Sequence, residues 1–170
     1  MNGLERDVTI ERIGRESRAA LSAMVDEYLA ELHRHRERPI GATTAAAYRY
    51  LPLYWSEAGR HPFFVRSGDQ RVGFALVREV ADLALTQMSD FYIRPDARRS
   101  GVGQRAVAEL WRRFPGAWEL QVHPRNAAAS AFWPRCIELA SSGSVLVTTV
   151  EEADGLRTQY NFEIPPAPGS

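Results

Sequence analysis

Lysine is absent from this chain, and cysteine occurs once, at Cys136. The first absence makes arginine the only strong cation: all 21 basic residues are Arg. They are spread through every kind of segment, which reads as a coding bias, and no lysine is present for the protein to modify on itself. The single cysteine excludes an internal disulfide and any metal site built from several thiolates. The four histidines show no paired spacing with it, so no metal is expected. An excess of either charge is missing too. Twenty-one acidic residues cancel the arginines, so no global field favours nucleic acid or an anionic membrane, and any anion site must be local. No apolar run approaches the length that spans a bilayer, and Met1 to Ile10 carries acidic residues instead of a signal-peptide core. The expectation is a soluble cytoplasmic protein with neither nucleic acid nor membrane as a partner.

What is present is enough for one domain: 170 residues, 45% hydrophobic and 10% aromatic. Val8 to Ile13 alternates as a half-buried strand and is interrupted by Gly14. Ser17 then caps a helix carrying Leu21, Met24, Val25, Tyr28, Leu29 and Leu32 at helical spacing. Thr43 or Thr44 starts a second helix, which Pro52 kinks or ends near Leu51. From Pro62 the pattern changes to a hairpin turning at Ser67-Gly68-Asp69-Gln70, followed by a strand from about Leu83 to Ile93 that Pro95 stops. An amphipathic helix over Gly101 to Phe114 follows, with Val102, Ala106, Leu110 and Phe114 on one face. Then come a short strand from Trp118 to Val122, a helix opened by Asn126, and a closing hairpin from Ser144 to Ile164 around Asp154-Gly155. The order βααβββαβαββ is a mixed α/β arrangement, a sheet of about seven strands with helices on its faces. Residues 1–164 form the domain, and 165–170 a loose tail.

Between the strand ending at Ile93 and the next helix lies Arg98-Arg99-Ser100-Gly101-Val102-Gly103. The first N–H groups of a helix lack internal partners and sit at the positive end of its dipole. Gly101 and Gly103 put no Cβ in the way of an anion, Arg98 and Arg99 can add charge at the rim, and Gln104 continues the first turn. The geometry is that of a phosphate cradle; the plain alternative is a tight turn with solvated arginines. A dinucleotide fingerprint would follow the first strand and place an acid at the end of the next, about twenty residues on. Here the loop follows the fourth strand and Glu119 lies early in the next one. A P-loop needs the lysine this chain lacks.

Arg98-x-x-Gly101-x-Gly103 resembles the coenzyme loop of the GNAT superfamily of N-acetyltransferases. Leu120-x-Val122-x-x-x-Asn126-x-x-Ala129-x-x-Phe132 resembles that family's second motif, at the proper separation from the first. The likeness covers about Pro62 to Cys136, and the order of elements agrees outside it. The resemblance implies an acetyl-CoA site: pyrophosphate on Gly101 to Gln104, and pantetheine between the strands ending at Ile93 and Val122, bonded to main chain around Phe91, Tyr92 and Ile93. Asn126 would touch the pantetheine and Phe132 would pack beside it, although Asn126 also reads as a helix cap and Phe132 as core.

Acetyl transfer to an amine requires a deprotonated nucleophile, a polarised thioester carbonyl and a thiolate that can depart. The resemblance implies that a backbone N–H near Phe91 or Tyr92 serves the carbonyl. Asp90 is the carboxylate nearest the expected acetyl position and the candidate base, a solvated edge carboxylate being the alternative. Asp82 is more distant, and Glu79 could reach the acceptor cavity. Where the family commonly has a Tyr as acid toward the thiolate, this chain has Trp133, whose indole N–H is a poor proton donor. Tyr92, Cys136 or Tyr160 could substitute, or the thiolate leaves unassisted. Pro134 disturbs the helix here.

The resemblance places the acceptor among the first two helices and the late hairpin, near His33, His35, Tyr48, Tyr50, Tyr54 and Trp55. Without an acidic cluster or a peptide groove, a small amine is the expected acceptor, and the family resemblance allows a homodimer. Two other readings stay open: a catalytically silent acyl-CoA-binding sensor, and a phosphate- or nucleotide-binding module outside the family.

Overall fold

A computed structural model describes residues 7–34, 41–153 and 155–169 of the chain. Its strands are β1 (Val8–Arg12), β2 (Arg60–Ser67), β3 (Gln70–Val80), β4 (Leu85–Ile93), β5 (Gly116–Val122), β6 (Ser142–Glu152) and β7 (Gly155–Ile164). Its helices are α1 (Arg18–His33), α2 (Val102–Arg113) and α3 (Ala127–Ala140). The seven strands form one mixed α/β sheet in the order β1-β2-β3-β4-β5-β7-β6, antiparallel throughout except where β4 meets β5.

The sheet separates two apolar layers. On one face α1 lays Leu21, Val25 and Leu29 over Phe64, Phe74, Leu76 and Tyr92. Each of these helix side chains contributes roughly 1.5–3 kcal/mol by leaving water. On the other face α2 and α3 cover the larger core, where Trp111 meets Trp118 and Phe162 edge-on. Amphipathic patterning explains α2: Val102, Ala106, Val107, Leu110 and Trp111 are buried, while Arg112 and Arg113 face water.

The second helical segment differs from expectation. It consists of two short 3₁₀ turns, Ala45–Ala47 and Leu51–Trp55. Thr44 does cap the first, accepting from the Ala47 N–H, but Tyr48 leaves helical conformation with φ −77° and ψ 88°. Pro52 stands near the start of the second turn, where its missing N–H costs nothing. Ser17 precedes α1 without a side-chain capping bond. Helix α3 runs through Pro134. His35, Arg36 and Arg38, Asp154 of the late turn, the first six residues and Ser170 lie outside the described residues.

Candidate active site

The site begins with an interruption in the sheet. Strands β4 and β5 pair in parallel only over Thr86 to Met88 against Trp118 to Leu120. Beyond Met88 and Leu120 they separate, so the β4 main chain from Ser89 onward has no strand partner on that side. A bulge marks the same place: in the β3 ladder Leu76 faces Asp90 while Val77 faces Met88, leaving Ser89 as the extra residue. The bulge changes which way the side chains point. Met88 and Phe91 pack on the α2/α3 side, whereas Tyr92 packs under α1.

A cavity of about 240 Å³ fills the gap. Phe91, Val122, Ala129 and Trp133 form part of its apolar wall, and Tyr28 and Leu32 of α1 close it from the other face. Phe91 stacks on Phe132 at 5.9 Å between ring centres, and Trp133 meets both rings edge-on. Asn126 lines the cavity, and its Oδ1 accepts the Ala129 N–H at 3.0 Å, so it caps α3.

Past the end of β4, Pro95–Ala97 makes a 3₁₀ turn and the chain reaches α2 through two left-handed residues, Arg99 at φ 61° and Gly101 at φ 76°. Gly101 caps α2 without a side-chain bond, and the first closed helical bond runs from the Arg105 N–H to the Gly101 carbonyl. The N–H groups of Val102, Gly103 and Gln104 therefore precede the helical ladder. Ser100 Oγ donates to the Ala97 carbonyl at 2.8 Å. The two arginines differ. Arg98 donates to the Ile93 carbonyl at 2.7 Å and to Glu31 at 2.8 Å, with its guanidinium over Tyr92; Arg99 is exposed. Gly103 serves packing, since a Cβ there would stand 3.3 Å from the Phe132 ring.

Asp90 is half-buried, on the cavity wall. Tyr28 donates to one of its oxygens at 2.9 Å and Tyr48 to the other at 2.5 Å. Burial, reinforced by the Asp90 charge, pushes the Tyr48 phenol far above its ordinary range, so it stays a donor. Tyr54 lies in the core with its hydroxyl buried near Ser89 and Arg60; burial and then the Asp90 charge push it up to about 12. The other sequence candidates lie apart from the cavity. Tyr92 points its hydroxyl toward Glu27 at 3.4 Å, and its phenol is pushed up to about 12, chiefly by burial. Cys136 is in the core, where burial pushes its thiol up to about 11. Tyr160 packs against the same core from β7. Glu79 pairs with His61, and Asp82 is exposed in the turn before β4. His33 donates through Nε2 to the Ala42 carbonyl at 2.8 Å, Trp55 donates to the Ile13 carbonyl, and Tyr50 is exposed.

Ser89, His123 and Arg157 also line the cavity, and sequence reading did not single them out. His123 accepts the Arg125 N–H at Nδ1, at 3.1 Å. Arg157 stands one residue past the last β5–β7 pair, Val122 with Thr158, and is only 9% exposed. Its sole sequence signal is a cation within the alternation of the late hairpin. Among the described residues, no group of three or more His, Cys, Asp or Glu is arranged to hold a metal ion, and no helix is long and apolar enough to cross a membrane.

No curated protein sequence matches the chain. Solved structures do match in fold. The ribosomal-protein-S18-alanine N-acetyltransferase of Escherichia coli is 15% identical, covering 96% of this chain and 98% of its own, with a TM-score of 0.60. An acetyltransferase of Thermus thermophilus is 15% identical over 94% and 99%, with a TM-score of 0.67. The PaiA N-acetyltransferase of Thermoplasma acidophilum, crystallised with coenzyme A, is 11% identical over 90% and 98%, with a TM-score of 0.63. At such identities the likeness is one of fold. The sequence profile of the acetyltransferase (GNAT) family spans residues 23–136, from α1 through the splayed strands to Cys136. With that match added to the strand order and the loop before α2, the chain belongs to the GNAT acetyltransferase family.

Proposed function

We propose that the protein transfers an acetyl group from acetyl-CoA to the primary amine of a small acceptor, by direct attack in a ternary complex. One observation carries this reading: the gap where β4 and β5 part has Asp90 and its partner Tyr28 on its wall, and the chain that leaves β4 at Ile93 leads on to the open N-terminus of α2, whose Gly103 packs beside Phe132. The N–H groups of Val102, Gly103 and Gln104, with Ser100, Gly101 and the charge of Arg99, would receive the pyrophosphate. Arg98 would steady the loop from below. The main chain of Phe91 to Ile93 and the side chains of Asn126 and Phe132 would border the pantetheine. Coenzyme-bound relatives such as the Thermoplasma acidophilum enzyme support the choice of coenzyme.

Acetyl-CoA supplies an activated acyl group on a good leaving group. Asp90, fixed at both oxygens by phenols, would take the proton from the attacking amine directly or through a water. A backbone N–H near Phe91, on the edge that the bulge frees, would polarise the carbonyl. Trp133 brings no acid, and the thiolate, a stable anion near neutral pH, would leave unassisted. The cytoplasm, where a lone thiol such as Cys136 stays reduced, suits this chemistry. The assembly we infer is a homodimer, supported by the uncovered apolar edge of β6.

The test is free-thiol release with acetyl-CoA and an amine panel. Asp90→Asn should lower kcat by about 100-fold or more and leave coenzyme affinity unchanged. Trp133 and the saturation of Asp90 by two phenols favour a second reading, a silent acyl-CoA sensor. Tight coenzyme binding with no turnover across the panel would establish it.

A further inference from the structure

The cavity between β4 and β5 carries both signs of charge. Asp90 stands on its wall from β4 and Arg157 from β7, on either side of β5. Arg157 is among the few buried charged residues of the described chain. Its Nη1 donates to the Leu156 carbonyl at 2.9 Å, which fixes the guanidinium at the cavity wall. The planar fork of guanidinium donors matches a carboxylate in two-point contact. The remaining wall near the Asp90 end is small and partly apolar, formed by Tyr28, Leu32 and Ser89. The pantetheine end of the coenzyme would occupy part of the same 240 Å³, so little room is left beyond it.

We propose that the acceptor is a small zwitterion, an amine that carries its own carboxylate as a free α-amino acid does, with the ammonium at Asp90 and the carboxylate at Arg157. This rests on the acetyl-transfer reading above. The ammonium gives one proton to Asp90 and on to water. Its nitrogen then attacks the acetyl carbonyl carbon, a C–N bond forms, and the C–S bond breaks with the electron pair leaving on sulfur. The second nitrogen proton neutralises the thiolate or passes to solvent, and the carboxylate emerges unchanged on an N-acetyl product. Arg157 is a specificity residue in this scheme, since it holds the end of the acceptor that does not react.

The experiment compares three matched series: free L-amino acids (alanine, serine, leucine, methionine and phenylalanine), their α-amides, and the amines lacking the carboxylate. Thiol release should give kcat/KM about 10- to 100-fold higher for the acids than for the amides, the range expected for a charge-assisted contact. In Arg157→Gln the acid-to-amide ratio should fall toward one, and Arg157→Lys should restore part of it. Coenzyme affinity and Tm of each variant check that it folds. Equal turnover of acids and amides by the wild-type protein, or an equal loss of both in Arg157→Gln, would overturn the proposal while acetyl transfer stands. If no series turns over, the coenzyme-saturated protein is titrated with the same compounds by calorimetry. Carboxylate-dependent binding that Arg157→Gln abolishes would then sustain the zwitterion site and sink the transfer reading; no binding would overturn both.

Discussion

Cys136 shows how burial decides what a residue can do. The thiolate is the reactive form, and a thiol pushed up to about 11 by burial stays protonated across the neutral range. Alkylation by iodoacetamide at about pH 8 should therefore be many-fold slower in the folded protein than in denaturant, as followed by mass spectrometry. Asp90 is the opposite case, a carboxylate made specific by its neighbours. Tyr28→Phe removes one of its two hydroxyl partners and should lower kcat by about 10-fold with little change in coenzyme affinity, measured by thiol release and calorimetry. The sequence made Asp90 legible as the carboxylate at the end of a strand beside the loop. Its tyrosines were not legible as partners, because they stand 62 and 42 positions away and meet it only once α1 and the turn after Thr44 have packed.

Among the elements, the start of α2 restricts side-chain size. Gly103→Val would drive the Phe132 ring from its stack on Phe91 and should cost about 1–3 kcal/mol of stability, read from urea unfolding. Gly101→Ala, with φ at 76°, should cost about 1–2 kcal/mol for a different reason, backbone strain. Strands, hairpins, α1, α2 and α3 were readable because apolar alternation, helical spacing and turn residues are local signals. The segment after Thr44 read as a helix on the same grounds, yet Tyr48 leaves helical φ/ψ and donates to Asp90. The bulge at Ser89 could not be read at all. It is a register difference between β3 and β4, and neither strand carries it alone. Arg157 was missed likewise, since its place at the cavity depends on where β5 stops.

Across the whole molecule, Glu11 ties three strands together, receiving Arg66 of β2 and Arg71 of β3 at 2.7 Å each. The hydrogen bond from Arg71, followed by that from Arg66, holds its carboxyl below the ordinary 4.5. A lowered folded value means the contribution is complete above the unfolded value and is lost as pH falls through the folded one. Tm curves for wild type and Glu11→Gln should therefore lie apart at about pH 6 and converge at about pH 3. At the far edge of the sheet, β6 exposes Val145, Leu146 and Val147 and carries no charge from Ser142 to Val150. Antiparallel pairing with a second copy about a two-fold near Val147 would set Glu151 and Glu152 against Gly143 and Ser142, away from each other. Leu146→Glu should then shift sedimentation toward the monomer. Helix α1, finally, touches both halves of the proposed site: Tyr28 donates to Asp90, and Glu31, a turn later, accepts from Arg98 at the start of the loop before α2. On the acetyl-transfer reading, occupancy at either end would bear on the same helix. Whatever factor the coenzyme then added to acceptor affinity, the acceptor would return to the coenzyme.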